Sequence, residues 1–178
     1  MEEDNIDGRN LPFNWSHIYF TNCPGLFPSN LSNITINHCI FGKSSMVAEV
    51  EGSTASITDN HFYATTLNII STSENLPGHT IIHDNEIYSS QITATVSSSS
   101  GVQSCGISSN YLNTSSVISY LLTTETTANT SITSNCGEHD SGLLLFHSRL
   151  TNEEIDYSHF TIYDNIGLGF SLKTRNAR

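Results

Sequence analysis

The chain has 178 residues, of which 37% are apolar and 13% are charged, and its formal net charge at pH 7 is −11. This length suffices for one domain with a substantial core, and the low charge excludes an intrinsically disordered chain. No lysine or arginine occurs between Lys43 and Arg149. Nucleic acid and anionic lipid are bound through basic side chains, and no apolar run approaches the ~18 residues of a membrane-spanning helix. We therefore predict no nucleic-acid and no membrane partner.

The N-terminal segment, residues 1–17, is acidic at its start and aromatic at its end. Four of the first seven residues are Asp or Glu, and Leu11, Pro12, Phe13 and Trp15 follow. We interpret this segment as a polar lead-in and an aromatic cap over the first structural unit. A secretory signal begins with basic and then apolar residues, so we expect synthesis in the cytoplasm without export.

A six-residue phrase, Ile-x-x-Asn-x-apolar, recurs between residues 18 and 170. Its copies are ITINHC at 34–39, ITDNHF at 57–62, IHDNEI at 82–87, ISSNYL at 107–112, ITSNCG at 132–137 and IYDNIG at 162–167, with a degenerate copy, YFTNCP, at 19–24. The three intervals from Asn60 to Asn135 are identical, whereas those nearer the two ends of the chain are shorter or longer. Such spacing predicts a solenoid of about seven stacked coils of ~25 residues, with irregular terminal coils.

Apolar residues also alternate with polar ones seven to eleven residues after each asparagine, which is the period of a half-buried β-strand. The residues that this alternation predicts to point inward are Leu67, Ile69, Ile92, Ala94, Val96, Val117, Leu121, Leu144 and Phe146. Each unit therefore contains at least two short strands joined by bends, and no helical period appears within it. Stacked units place equivalent strands side by side in parallel, so we predict an all-β fold.

The isoleucines and asparagines of the phrase are given different structural roles. The isoleucines are predicted to point inward and stack from coil to coil; they are Ile34, Ile57, Ile82, Ile107, Ile132 and Ile162. Asparagine tolerates the left-handed backbone conformation of a tight bend, and its amide can bond to the same amide one coil along. We predict a structural ladder of amides formed by Asn37, Asn60, Asn85, Asn110, Asn135 and Asn165.

The phrase and its spacing resemble the right-handed parallel β-helix (pectin-lyase-like) superfamily, which includes pectate lyases, polygalacturonases and phage tailspikes. The resemblance spans roughly residues 18–170 and implies a single-stranded right-handed parallel β-helix, most like a segment of a phage tailspike or another virion appendage. The motifs expected of the plant-polysaccharide enzymes, Asn-Thr-Asp, Asp-Asp, Arg-Ile-Lys and Arg-x-Pro-x-Lys, do not occur in the sequence. The fold alone does not fix the function.

The register of the repeat brings several polar residues together around two adjacent coils. Two carboxylates ~5–9 Å apart are what glycoside hydrolysis requires, and close like charges raise the pKa of one of them. Asp59, Asp84 and Glu86 are therefore the candidate catalytic residues. His61 and His83 lie in the same patch and are candidate binding residues. Solvated bend residues repeated by the solenoid would produce the same pattern without any chemistry.

Three tyrosines, Tyr63, Tyr88 and Tyr111, follow successive asparagines and are predicted to lie near one bend. An aromatic strip of this kind can stack against sugar rings, although packing is its commoner use, and the three complete the candidate binding set. We predict no metal site and no cofactor. The cysteines lack zinc-site spacing and are interpreted as buried free thiols; they are Cys23, Cys39, Cys105 and Cys136.

The C-terminal part of the chain departs from the repeat. Residues 151–154, TNEE, have the capping-box pattern of a helical turn, and we interpret residues 171–178 as a C-terminal tail. A rod of seven coils would be only about 30 Å long and would present open strand edges at both ends. We therefore predict a homo-oligomer, such as a trimer, or a place in a larger assembly.

The predicted function is a structural and binding module of a virion tailspike-like appendage, which recognises a neutral surface polysaccharide or acts as a rigid spacer. The alternative is a polysaccharide-degrading glycoside hydrolase of the β-helix class that uses paired carboxylates. A uronate lyase is disfavoured because the central coils have no Arg or Lys for the substrate carboxylate. Ice binding is a third hypothesis, although His83 and Ser108 interrupt the threonine column that it would need. The sequence leaves open whether the chain is catalytic, which glycan it binds and whether it belongs to a longer protein.

Overall fold

A computed structural model of the chain describes residues 11–28, 31–73, 78–98, 103–123, 127–149, 157–167 and 169–176. Within these ranges the chain is an all-β solenoid of about five turns with ~25 residues per turn, and its paired strands run parallel. The predicted fold class, an all-β parallel β-helix, is thereby confirmed. The right-handed coil and the count of seven coils stay predictions. The described residues include no helix long and apolar enough to cross a membrane.

Eighteen strands make up the described solenoid. In chain order they are β1 (Leu11–Ser16), β2 (Tyr19–Thr21), β3 (Leu31–Asn37), β4 (Ile40–Gly42), β5 (Ser45–Thr58), β6 (His61–Tyr63), β7 (Thr66–Ser73), β8 (His79–His83), β9 (Glu86–Tyr88), β10 (Gln91–Ser98), β11 (Gln103–Ser108), β12 (Tyr111–Asn113), β13 (Ser116–Thr123), β14 (Thr127–Thr133), β15 (Cys136–Glu138), β16 (Gly142–Arg149), β17 (Tyr157–Tyr163) and β18 (Gly169–Asn176).

Each of the five turns from β3 to β16 contributes one strand to each of three faces, with β5 shared between two turns. The first face contains β1, β3, the C-terminal part of β5, β8, β11, β14 and β17, and the third face contains the N-terminal part of β5, β7, β10, β13, β16 and β18. The second face is a separate sheet of three-residue strands, β2, β4, β6, β9, β12 and β15. The aromatic segment assigned to a cap thus forms β1, which pairs with β3, and β18 extends to Asn176, into the segment assigned to a tail. The helical turn expected at 151–154 lies outside the described residues.

The isoleucine column runs through the core of the first face as predicted, except at its end. Ile162, in the last described strand of that face, pairs with Ile132 but is 42% exposed.

The predicted register of the column also needs one correction. Ile57 stacks between Ile36 and Ile82, whereas Ile34 pairs with Ala55. Fewer residues separate Ile36 from Ile57 than separate Ile57 from Ile82, so the first repeats are shorter than the later ones. The physical reason is that β5 continues from the third face into the first as one strand, whereas the later turns have additional residues between the strands of these two faces.

The alternation on the third face is correct for the middle turns and wrong for the last one. Leu67, Ile92 and Val117 are buried as predicted, but Leu143 and Leu145 point inward in place of Leu144 and Phe146. The bend before β16 contains one additional residue, since His139 and Asp140 both adopt positive φ where the equivalent bends have one such residue. A shift of one residue in a strand turns every side chain to the opposite face.

From Asn60 onward, the left-handed conformation of the first bend belongs to the residue before the marker asparagine, which corrects the role assigned to asparagine in these copies. The five residues before these asparagines have φ between 53° and 57°, and His17 and His38 have similar φ at the same bend of the earlier coils; the five are Asp59, Asp84, Ser109, Ser134 and Asp164. Asn, Asp and other small polar residues are those that best tolerate this region. The asparagine that follows is therefore free to turn its amide into the core.

The amides form a continuous hydrogen-bonded ladder. Asn110 Nδ2 donates to Asn135 Oδ1 at 2.9 Å and to the carbonyls of Ile82 and Ser108, while its Oδ1 accepts from the backbone N–H and the amide of Asn85. The same contacts repeat along the column of Asn60, Asn85, Asn110, Asn135 and Asn165. Identical amides in neighbouring coils thus satisfy the buried polar groups of the bend.

Asn37 lies outside this ladder. It pairs with Thr58, and Asn60 Oδ1 accepts instead from the backbone N–H of Cys39 at 2.9 Å. The buried Oδ1 of Asn37 has no hydrogen-bond partner among the described residues. Asn37 is excluded from the ladder because the first repeat is short, which places Asn37 two residues before Cys39, the residue that aligns with Asn60.

A second ladder, of hydroxyl groups, closes the bend between the second and third faces. Ser90 Oγ accepts from the backbone N–H of Thr65 at 2.9 Å, and Ser115 Oγ accepts from that of Ser90 at 3.1 Å. Ser44 and Ser141 hold the same position and are also buried. This ladder was not predictable from the sequence, because serine and threonine are frequent throughout the chain.

The core also holds stacked aromatic rings and two thiols. Phe41 stacks between Phe20 and Phe62, with ring centroids 4.8 and 5.1 Å away. None of the four cysteines is paired: Cys39 and Cys105 are buried, whereas Cys23 and Cys136 are half-buried. Desolvation by burial raises the pKa of Cys105 to about 11, against an opposing hydrogen bond from Ser119 Oγ.

Candidate functional site

The three-residue strands of the second face present two outward columns. The middle residue of each strand is buried, so the first and third residues point to solvent. The first outward column is Tyr19, Ile40, His61, Glu86, Tyr111 and Cys136, and the second is Thr21, Gly42, Tyr63, Tyr88, Asn113 and Glu138. We call the polar centre of these columns the second-face strip; its members are His61, Tyr63, Glu86, Tyr88, Tyr111 and Glu138.

A carboxylate held by two neighbours lies in the middle of the strip. His61 Nδ1 lies 3.0 Å from Glu86 Oε2, and the Tyr88 hydroxyl donates to the same oxygen at 3.3 Å. The side chains of His61 and Glu86 are 42% and 47% exposed, so their interaction contributes little to stability. Its effect is to orient the Glu86 carboxylate on the surface.

The three predicted tyrosines do come together, one coil apart. Tyr63 and Tyr88 stack with ring centroids 5.1 Å apart and planes inclined by 7°, and Tyr111 follows Tyr88 at 5.7 Å with its ring tilted by 54°. The Tyr111 hydroxyl donates to Glu138 Oε2 at 2.9 Å. Desolvation, followed by the neighbouring Glu86 carboxylate, raises the pKa of the Tyr88 hydroxyl, which keeps Tyr88 a donor.

Asp59, His83 and Asp84 lie at the bend that borders the strip. His83 contacts Asp84 through Nε2 at 2.7 Å and the Ser108 hydroxyl through Nδ1 at 2.8 Å. Asp59 occupies the same bend one coil before Asp84, since its backbone N–H donates to the His83 carbonyl. The predicted patch therefore divides into a His61–Glu86 pair, a His83–Asp84 pair and Asp59 beside them.

This geometry suits binding better than acid–base catalysis. A general acid is a carboxyl group kept protonated by apolar surroundings, whereas the side chains of Asp84 and Glu86 are 45% and 47% exposed and each contacts a histidine. An oriented, solvent-facing carboxylate is instead a strong acceptor for hydroxyl donors. Among the described residues, no group of three His, Cys, Asp or Glu side chains could hold a metal ion.

Two surface grooves lie elsewhere on the solenoid. One, of about 360 Å³, crosses the first face between Ile81 and Ser131, where Gly106 leaves the outward column without a side chain. The other, of about 480 Å³, follows the second bend and is lined by Ser and Thr side chains with Asp140 at one end. Neither groove includes a member of the second-face strip.

Two positions of the second face were not singled out from the sequence. Glu138 lies one full repeat after Asn113 and belongs to the same column. Gly42 received no role, because its distance from Tyr63 along the chain is shorter than the later period. Counting by the local repeat length would have found both.

The fold and the strip together define an all-β parallel solenoid that carries an exposed surface of tyrosine, histidine and carboxylate side chains. No family model, curated protein or solved structure matches the chain. Its function is therefore inferred from the strip itself.

Proposed function

We propose that the chain is a structural and glycan-binding module of a virion appendage similar to a tailspike, and that the second-face strip binds a neutral surface polysaccharide. The observation that supports this proposal is the row of Tyr63, Tyr88 and Tyr111 with Glu86 and Glu138 hydrogen-bonded among them. Aromatic rings beside oriented carboxylates combine apolar contact with acceptors for sugar hydroxyls. The virion assignment, with cytoplasmic synthesis before assembly, rests on the sequence resemblance.

The charge of the strip favours an uncharged ligand. Glu86 and Glu138 lie on it and Asp59 and Asp84 border it, while residues 44–148 contain no Lys or Arg. Like charges repel an anionic polymer that approaches this face.

The Glu86 carboxylate also keeps an oxygen available for a ligand. Glu86 uses one oxygen for both internal contacts, and a carboxylate accepts through two oxygens, so acceptor capacity remains for a sugar hydroxyl.

Binding can be measured with purified uncharged bacterial O-polysaccharides on biosensor tips, with polygalacturonate as the anionic comparison. We expect the wild-type chain to bind at least one uncharged polymer and not polygalacturonate. Tyr88→Ala removes an aromatic contact and Glu86→Gln removes a charge-assisted acceptor, so each variant should weaken binding about tenfold. Thr93→Ala, an outward residue of the third face, is the control and should bind normally. Unchanged affinity in both strip variants would contradict the proposal.

The hydrolase alternative predicts a different result in the same samples. It requires release of reducing ends from the bound polysaccharide, and loss of that release in Asp84→Asn. The exposed carboxylates lead us to expect binding without release of reducing ends.

We further propose that copies of the chain associate through the third face. On β13 and β16, five outward apolar side chains form one half-buried patch in a face that is otherwise rich in Ser, Thr and Asn; they are Ile118, Tyr120, Leu122, Leu144 and Phe146. Tyr120 and Phe146 stack at 4.7 Å within it. Contiguous outward apolar groups mark interaction sites on soluble proteins. This patch contains the residues whose orientation the sequence analysis reversed.

Light scattering after size exclusion tests this association. We expect the wild-type chain to elute as an oligomer, with a trimer as the predicted state, and Leu144→Asp to shift it towards the monomer because a charge in a buried interface is costly. Asn68→Asp adds the same charge to the same face, two coils from Ile118 and three from Leu144, and should leave the mass unchanged. A monomeric wild-type chain would refute the proposal.

A further inference from the structure

We propose that Gly42 opens a slot one coil deep in the second-face strip, and that the slot is the subsite for a single uncharged pyranose ring stacked on Tyr63. The inference rests on the proposed glycan-binding function and specifies where one sugar unit sits.

The slot arises because the outward column lacks a side chain at one level. Gly42 pairs with Thr21 on one side and with Tyr63 on the other. Tyr88 stacks on Tyr63 with nearly parallel planes, so the Tyr63 ring lies across the column and its second face is turned towards Gly42. Tyr63 is 43% exposed, whereas Tyr88, which has an aromatic neighbour on both sides, is half-buried.

The space at Gly42 matches the thickness of one ring. Paired strands lie ~4.8 Å apart, so the strands of Thr21 and Tyr63 are separated by roughly 9.6 Å. A ring midway between them would lie ~4.8 Å from each, and the C–H groups on both faces of a puckered pyranose fill the difference from the ~3.5–4.0 Å of favourable carbon contact. Among the described residues other than its two chain neighbours, a Cβ atom placed on Gly42 would meet only Thr21 Oγ1 at 3.6 Å and the Phe20 carbonyl at 3.9 Å within 4 Å, so these residues leave the level open.

The groups around the slot fit an uncharged sugar. A pyranose presents C–H groups on its face and hydroxyls around its edge, which suit an aromatic floor with polar groups at the rim. Thr21 offers a hydroxyl, and the exposed Lys43, which follows Gly42 at the bend, offers an ammonium donor. Lys43 is the only Lys or Arg between residues 10 and 148, which places the one available cationic donor of this region beside the slot.

Filling the slot is the direct test. Gly42→Tyr would extend the tyrosine column into the space, and the contacts of its Cβ would be ordinary ones. Gly106→Tyr is the matched control, because Gly106 is also an outward glycine between two filled levels, lies on the first face, and has nothing within 4 Å of an added Cβ among the described residues other than its two chain neighbours. Both variants would be measured against the uncharged O-polysaccharides that the wild-type chain binds, together with their melting temperatures.

We expect Gly42→Tyr to weaken binding at least about tenfold and Gly106→Tyr to change it by less than about twofold, since only the first covers the face of Tyr63. Neither should lower the melting temperature. If Gly42→Tyr destabilises the chain, Gly42→Leu decides, because it fills the slot with a smaller side chain and keeps Tyr63; loss of binding then supports the slot. Normal binding by Gly42→Tyr, with binding still lost in Tyr88→Ala, would overturn the slot and leave the strip as the site. A wild-type chain that binds no polysaccharide would overturn both proposals.

Discussion

Replacing Asn110 with leucine is expected to lower the free energy of unfolding by about 4 kcal/mol, which corresponds to a fall in melting temperature on the order of 10 °C. The Asn110 amide makes three donated and two accepted hydrogen bonds, all with groups of its own and neighbouring coils. Leucine fills a similar volume but leaves the buried N–H of Asn85 without its acceptor. Each unsatisfied buried group costs about 1–3 kcal/mol, and members of a polar network support one another.

Asn37→Leu is the matched control for this experiment. Asn37 carries the same repeat signature in the sequence, yet it lies outside the ladder, and its buried Oδ1 has no partner among the described residues. We therefore expect a change of less than about 1 kcal/mol. Thermal unfolding followed by circular dichroism measures both variants. Equal losses in Asn37→Leu and Asn110→Leu would show that the ladder is not the source of the stability.

Raising the pH from about 9 to about 11 is expected to remove roughly 3 kcal/mol of stability through the Cys105 thiol alone. Burial raises the pKa of this group from 9.0 to about 11. In the unfolded chain the thiol therefore ionises near pH 9, while the folded chain still holds the proton. The stabilising contribution is complete below pH 9, declines as the pH rises towards 11, and is absent above it.

Cys105→Ala isolates this effect from the titration of other groups. The substitution creates a small cavity and leaves Ser119 Oγ without its sulfur acceptor, but these costs do not depend on pH. Urea unfolding at pH 8 and at pH 11 should therefore show a smaller decrease in stability for Cys105→Ala than for the wild-type chain. The same decrease in both would mean that the thiol is not the group responsible.

The repeat predicted the fold because a single residue type has the same task in each coil from Asn60 to Asn165. Asn85, Asn110 and Asn135 are equally spaced in the sequence and directly bonded in the solenoid. Inward isoleucines such as Ile82 and Ile107 follow from the same spacing. In these turns the residue preferences of each bend and strand agree with the contacts made in the neighbouring coils. Sequence patterns predict structure most reliably under that condition.

Prediction failed where the length of a turn changes. The uninterrupted strand β5 shortens the first repeats, which removed Asn37 from the ladder, and the additional residue at His139–Asp140 turned Leu144 outward. A pattern read at constant spacing cannot register an insertion or a deletion, and in a strand an offset of one residue reverses the face.

The candidate site was predictable in its members and less so in its pairings. The spacing brought Tyr63, Tyr88 and Tyr111 to one face. It predicted a single patch of histidines and carboxylates, whereas the contacts divide that patch into a His83–Asp84 pair and a His61–Glu86 pair. These pairings depend on side-chain rotamers at the bend, which backbone periodicity does not determine.

Fluorine NMR of the chain labelled with 3-fluorotyrosine tests the glycan-binding strip most directly, because the seven tyrosines report on different faces. On titration with an uncharged O-polysaccharide fragment, the resonances of Tyr63, Tyr88 and Tyr111 should shift together, with Tyr63 most affected. Tyr120, on the third face, should stay unchanged. A shift confined to Tyr120, or saturable binding that moves none of the three strip resonances, would contradict the account.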